Sequence, residues 1–365
     1  MNPAPLRVMP RMARDWPIDS LPLPCRMNLA AQTTTPSATP AQVPSATRRK
    51  LKSLFTPEQL AELTQRSDWR GAWAIASTWG LIFASFALLA WHPSVWTWLV
   101  ALVVIAGRQL ALGILQHEGS HGTLFQSRWA NEVLTDWLCA RPVWQNLKLY
   151  RAHHLAHHQH TGTAQDPDMS LHAGYPTSRR SMARKFVRDL TGLTGLKTVY
   201  GLMLMDAGII KWTVSNHIER LPIEGIALTT LLARMLRNMA PMLITNGVLW
   251  GLLALSGHAW VYGAWVLAYF TPFPLFIRIR SMAEHGCLPE SSDMFINTRT
   301  TRASWLARLT VAPVHVNHHL EHHVMASVPY FRLPRMHAML QAQASAEVPP
   351  PEQGYLSVLR KASAL

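Results

Sequence analysis

Two long stretches without a charged residue dominate the chain. Gly71 to Gly107 runs for 37 residues with no Asp, Glu, Lys or Arg, and His92-Pro93-Ser94 divides it in the middle. Asn238 to Ile277 runs for 40 more and is divided at Ser256-Gly257-His258. A helix rises 1.5 Å per residue, so about 20 residues cross a hydrocarbon core of roughly 30 Å. Each run therefore predicts two membrane-crossing helices joined by a short polar turn. The expected spans are about 71–91, 95–115, 239–256 and 259–277, which makes the fold all-α, with four transmembrane helices as two hairpins. Buried soluble helices can be apolar all round, but two runs this long exceed what a soluble core needs.

The flanking segments read differently. Leu54 to Arg70 predicts a short amphipathic helix, opened by Thr56 as N-cap with Pro57 in its first turn. Residues 1–50 hold nine prolines among Thr, Ser and Ala and show no sustained apolar period, the pattern of a disordered tail, with Met27 an alternative initiator. This stretch lacks the basic region, apolar core and cleavage site of a secretory signal. A membrane domain is expected over 51–345 and a C-terminal tail over 346–365. Gly195 to Ser215 is apolar but carries Lys197, Asp206 and Lys211, which suits a position in the interface plane.

Composition sharpens this picture. Hydrophobic residues make up 49% of the 365 positions and charged ones 15%, well under the quarter usual in soluble domains. The formal charge is +14, and Lys and Arg number 10 in residues 1–70, 14 in 117–238 and 9 in 278–365, with Arg108 the remaining one. With four spans these three segments share one side, which the positive-inside rule assigns to the cytoplasm, termini included. The positive charge then faces anionic headgroups, and no nucleic-acid partner is needed. Arg108, near the end of the second expected span, reads as a snorkelling residue that reaches the headgroups. The three cysteines, Cys25, Cys139 and Cys287, are far apart and offer no metal-binding pair.

Histidine carries the candidate chemistry. Thirteen of the 18 histidines fall in residues 117–160 and 285–323. His117-Glu118-Gly-Ser-His121 places two rings at i and i+4, on one helix face. His154, His157 and His158 form HxxHH, as do His319, His322 and His323, and the i, i+3, i+4 spacing sets three rings on one stripe. His285 follows the last expected span. Nine histidines suit two metal ions with four or five nitrogens each, more than one zinc ion requires, and imidazole by itself does not select among Zn, Cu, Fe and Ni. His153, His160, His315 and His318 neighbour the clusters as supporting or surface residues. His92 and His258 fall at the opposite turns, and His172, His217 and His337 carry no local pattern.

The order HxxxH, HxxHH, HxxHH around two apolar hairpins resembles the integral-membrane fatty acid desaturase family. The similarity extends to His117-Glu-Gly-Ser-His121-Gly-Thr-Leu-Phe125, Tyr150-Arg151-x-x-His154-x-x-His157-His158, Asp166-Pro167-Asp168 and Asn317-x-His319-x-x-His322-His323, and covers roughly Leu51 to Leu340. The resemblance implies a cytosolic helical cap holding a non-haem centre of two Fe ions, which uses O2 to remove two hydrogens from an acyl chain on a lipid or thioester. By motif position the implied ligands are His117, His121, His154, His157, His158, His285, His319, His322 and His323. Glu118, Asp166, Asp168, Glu284, Asn317 and Glu321 are the expected supports, since ligand histidines commonly donate their second N–H to a carboxylate or carbonyl. Unlike front-end desaturases, which carry glutamine at the start of the last box, this chain has His319.

No HPGG signature of a fused cytochrome b5 domain is present, and the cysteines are too few for a fused ferredoxin. A separate electron donor is therefore implied, such as ferredoxin or another small acidic carrier meeting a basic face. Two rival readings use the same residues. Hydroxylases and carotenoid ketolases share similar boxes, and His117-Glu118-x-x-His121 is also the signature of zinc proteases, with Glu118 as general base. The protease reading leaves the other two boxes unused and puts Gly119, a weak helix former, inside the motif.

Overall fold

The computed structural model describes residues 54–212, 218–343 and 347–364. The expectations for residues 1–50, Met27 and His217 lie outside the described residues. The first helix, α1, covers Pro57–Thr64, with Thr56 as N-cap in a reciprocal capping box with Gln59. It ends sooner than expected because Ser67 caps a new helix, α2, Asp68–Trp91. After the turn at His92 to Ser94, α3 runs Val95–His121, opened by the Ser94–Thr97 capping box and closed by Gly122 in the left-handed region (φ 69°). Only glycine takes that conformation without strain, which is why the helix stops just past His121. Helical turns then cover Ala130–Leu134, Asp136–Ala140 and Arg141–Val143.

The middle of the chain forms α4, Leu147–His160, α5, Met169–His172, α6, Arg179–Leu190, and α7, Leu193–Asp206. A two-stranded antiparallel ribbon follows, β1 Ile210–Trp212 with β2 Ile218–Arg220, in the register Lys211 opposite Glu219. The long helix α8, Leu228–Leu255, starts well before the uncharged run, and Arg234 and Arg237 lie within it. Past the turn, α9 covers Tyr262–Phe270 and α10 covers Pro272–His285. Pro272 has no N–H to donate, so the helix breaks at Thr271 before it resumes. The remaining short helices are α11, Met294–Asn297, α12, Trp305–Leu309, α13, His319–Val324, α14, Leu333–Gln343, and α15, Tyr355–Ala362.

Four stretches are long and apolar enough to cross a membrane: Pro57–Trp91, Val95–His121, Leu228–Leu255 and Ala259–His285. Each overlaps one of the expected spans. Trp91 and Trp96 stand 83% and 77% exposed on either side of the first turn, as residues of an interfacial aromatic belt do. The main core lies where α2, α3 and α9 meet, with Ile82, Leu89, Ile105, Leu112 and Ala264 fully buried. Two smaller cores sit under α13 and α14 and under α15.

Two expectations are corrected here. Arg108 does not snorkel: α3 continues thirteen residues beyond it, so it lies mid-helix and is buried, donating to the carbonyls of Arg308 (3.0 Å) and Leu309 (2.7 Å). The segment set apart as a C-terminal tail carries α15, whose Val358 and Ala362 pack against Met182 and Met282. Thr177 N–H donates to the Ala362 carbonyl at 2.8 Å, and Thr301 and Glu352 form a β-bridge. Its amphipathic sequence buries one face, and that burial docks it.

Candidate metal centre

Four helices deliver the histidines. The last turn of α3 carries His117 and His121. Helix α4, whose Asn146 cap accepts from the Lys148 and Leu149 amides, carries His154, His157 and His158. His285 ends α10, and α13 carries His319, His322 and His323. Arg151 ties two of these elements together, donating from Nε to the Ser120 carbonyl at 2.7 Å while pairing with Glu132 at 2.8 Å.

The nine rings gather into two groups. One holds His117, His121, His154, His158 and His322, the other His157, His285, His319 and His323, and within each group the donor atoms lie within 4.8 Å of one another. The two HxxHH stripes split between the groups, His157 and His319 going one way, His154 and His322 the other. His158 and His323 stack at 4.2 Å between centroids and bridge the two.

The nitrogen contacts test whether cations fit. His158 Nε2 lies 2.9 Å from His154 Nε2 and 3.0 Å from His322 Nε2. His319 Nε2 lies 3.0 Å from both His285 Nε2 and His323 Nε2. A ring nitrogen has one in-plane site, filled either by a proton or by a lone pair. It can satisfy one such neighbour, and the second contact then sets lone pair against lone pair or proton against proton. A cation at the centre of each group removes that conflict, and both nitrogens of His117 together with His121 Nε2 have no hydrogen-bond partner among the described residues.

The charge state suits the same use. Burial, with crowding by the neighbouring rings, pushes His154, His158, His319, His322 and His323 well below the ordinary histidine value. They are neutral near pH 7, the form that binds metals. His157 goes the other way: burial lowers it, but the Asp166 hydrogen bond and the charges of Asp168, Asp166 and Glu284 outweigh that.

Three second nitrogens have direct partners. His157 Nδ1 donates to Asp166 Oδ1 at 2.8 Å, and His285 Nδ1 donates to the Asn297 carbonyl at 3.1 Å. The Thr161 hydroxyl donates to the His157 carbonyl and sits 3.3 Å from His323 Nδ1. Each bond fixes a tautomer with the Nε2 lone pair free. Burial opposes ionisation of Asp166, but the hydrogen bond from His157, the His172 ring 3.6 Å away and the Asp168 amide hold it well below the usual carboxylate range.

The other expected supports act differently. Glu118 Oε1 and Glu284 Oε1 lie 3.4 Å from His117 Nδ1 and His319 Nδ1, and neither nitrogen makes a hydrogen bond. Glu284 is held by Arg280 Nε at 2.6 Å. Glu118 Oε2 accepts from the Thr123 hydroxyl and the Tyr330 amide, each at 3.0 Å, so this carboxylate is a structural anchor rather than a free base. Asp168 pairs with His153 at 2.7 Å and stands 3.8 Å from His157. Glu321, fully buried, turns away from the ligand candidates toward the Thr300 hydroxyl (2.5 Å) and His337 Nδ1 (2.6 Å). Asn317 bonds the Thr301 backbone and pins the start of the third box.

Five residues of the neighbourhood carry no signal in sequence. Thr161, Asn297 and Thr300 are common polar residues outside the motifs. His172 and His337 are single histidines, yet His172 lies 5.3 Å from the His285 ring and 3.6 Å from Asp166 Oδ2. Among the other neighbours, His315 stacks on Tyr330, and His318 stands 3.8 Å from Glu321. His92 is exposed at the first turn, and His258 bonds the Ser256 carbonyl at the second.

Comparison with known proteins adds an independent line. The sequence model of the family described as fatty acid desaturase matches residues 93–353. The chain is 25% identical over 280 residues to the dihydrorhizobitoxine desaturase of Bradyrhizobium elkanii, covering 76% of each protein. It is 20% identical over 294 residues to the sn-1 oleoyl-lipid 12-desaturase of Anabaena variabilis, covering 78% of this chain and 79% of that one.

Proposed function

The chain belongs to the fatty acid desaturase family, and on that premise we propose that it is an O2-dependent membrane desaturase that places a double bond in an acyl chain carried by a lipid or thioester. The observation that carries this reading is the pair of buried histidine groups, each with one Nε2 crowded by two others. In the proposal His117, His121, His154, His158 and His322 hold one iron and His157, His285, His319 and His323 hold the other. Two iron ions bound there would supply the activation of O2 needed to attack an unactivated methylene, which no side chain can do.

The chain's own residues set the conditions for that chemistry. Asp166, the Asn297 carbonyl and Thr161 fix ring orientation at three ligands. The burial of His117, His154, His319 and His322 to 4% exposure or less excludes bulk water from the reacting centre. The exposed apolar side chains of α2, α3, α8 and α9 offer surface on which an acyl substrate can lie. Two hydrogens leave the substrate, and O2 takes them with two further electrons and two protons to give two waters. Those electrons come from a separate small carrier. We place the termini and the histidine-bearing cap on the cytoplasmic side, with four spans as two hairpins and the turns at His92 and His258 opposite, from the Lys and Arg distribution.

The test is the fatty-acid methyl-ester profile, by gas chromatography and mass spectrometry, of cells expressing the wild type beside cells expressing His157→Ala. A new unsaturated species in the wild type alone is the expected result and locates the double bond. Oxidised but saturated lipids in its place would overturn desaturation as the reaction.

A further inference from the structure

One cavity opens onto the second histidine group. It is lined by His172, Tyr175, His285, Cys287 and Glu290, among others, so a proposed iron ligand forms part of its wall. His172 stands between the opening and Asp166, its Nε2 buried and without a hydrogen-bond partner. No other candidate ligand lines it.

The lining of this cavity holds no Lys or Arg, but cations lie beside it. Lys185 lies 4.3 Å over the Tyr175 ring, and the Thr177 bond to Ala362 draws the end of α15 against the start of α6. Exposed Arg179 and Arg180 follow Thr177 by two and three residues, exposed Arg360 precedes Ala362 by two, and exposed Arg184 lies further along α6. None of these five cations has an ion-pair partner among the described residues, whereas neighbouring Lys361 is paired with Glu352. Glu290 is the acid on the lip. Unpaired like charges held close together repel one another, an arrangement that an acidic partner relieves and that raises its association rate.

We infer that these cations mark the docking surface for a small acidic electron-carrier protein, which delivers electrons to the metal centre through the His172–His285 wall. The inference rests on the desaturase reading and gives its separate donor a position. Each docking event oxidises one reduced carrier by one electron, and two events supply the two electrons that O2 requires beyond those taken from the substrate. An anionic membrane surface is the weaker fit, because the exposed apolar residues of α6, Val187 and Leu190, lie at its other end.

The experiment uses the full chain in detergent, an acidic [2Fe–2S] ferredoxin as probe, and the triple variant R179E/R180E/R360E, with size-exclusion elution and helical circular dichroism as checks of folding. Wild-type binding should weaken with added salt, and the variant should bind about tenfold more weakly or worse. Turnover with ferredoxin should fall in the variant, while a single turnover, started by admitting O2 to protein reduced anaerobically with dithionite and freed of the excess, stays at the wild-type level. A folded variant that binds ferredoxin as the wild type does would overturn the assignment. So would loss of binding to phosphatidylglycerol vesicles with ferredoxin binding intact, which would make these cations a lipid surface. Failure of the desaturase reading shows separately, as no turnover with dithionite in either protein, and leaves the binding comparison decisive for the surface.

Discussion

His285 Nε2 and His319 Nε2 stand 3.0 Å apart, joining the final residue of the last membrane-length stretch to the first histidine of the third box. His285 belongs to no box, so this contact is its main claim to a metal. If the proposed two-iron centre holds, His285→Ala should lower the metal content of the purified protein from two ions per chain toward one, measured by plasma mass spectrometry. Two irons retained would remove His285 from the ligand set.

Asp166 is the only carboxylate hydrogen-bonded directly to a ligand candidate among the described residues, through His157 Nδ1. Asp166→Asn keeps the shape and loses the charge that holds the ring. Outer partners of this kind contribute roughly 10–100-fold in metal affinity, so competition with a chelator should strip iron from the variant at correspondingly lower chelator concentration. Equal resistance in both proteins would show that the bond does not support the metal.

His337 is raised above its ordinary value, chiefly by its hydrogen bond to buried Glu321. A group whose folded pKa is raised stabilises the fold fully below its unfolded value, about 6.5, and loses that contribution as pH rises through the folded value. His337→Gln should therefore lower Tm more at pH 6 than at pH 9, read by differential scanning fluorimetry in detergent. A loss independent of pH would mean that the imidazolium is not what matters.

Much of this centre was legible because helical spacing is local. The i, i+4 pair at His117 and His121 and the two HxxHH stripes need only one helix each to converge. What sequence could not give is how the stripes divide: His154 and His158 join His117, while His157 leaves for His285, a choice set by how α3, α4, α10 and α13 pack. Arg108 was misread for a related reason. The uncharged run ends at Gly107, so the span seemed to end there, yet helix propagation is indifferent to a single arginine and α3 continues to His121. The same logic hid the start of α8, where Arg234 and Arg237 interrupt the apolar run but not the helix. His172 and His337 reach the neighbourhood by tertiary contact alone.

Arg108 holds two backbone carbonyls of a neighbouring segment. Its two bonds satisfy the carbonyls of Arg308 and Leu309 against α3, where the absence of a Gly107 side chain permits the approach, since a Cβ there would sit 2.1 Å from the Leu309 oxygen. Arg108→Leu orphans acceptors in a buried setting, at about 1–3 kcal/mol each. The variant should unfold at lower temperature while iron per folded chain stays at the wild-type ratio, because the arginine touches no histidine of the centre. Loss of iron with unchanged Tm would invert this assignment.

Gly119 sits between His117 and His121, and its role separates a packed metal centre from a chance motif. A Cβ at this position would come 2.6 Å from Thr135 Cγ2 and 3.2 Å from the Asn131 carbonyl, so the glycine, though a weak helix former, lets the turn after α3 lie directly against the first box. Gly119→Ala adds one methyl to a full interface, where overpacking costs about 1–3 kcal/mol. It should lower Tm and tilt the two rings enough to reduce bound iron. Thr135→Ser removes the obstructing methyl and keeps the hydroxyl that donates to the Ala130 carbonyl. The double variant should therefore regain most of the lost Tm and iron. If Thr135→Ser restores neither, the clash is not what requires glycine here, and the residue would have to be explained by the backbone instead.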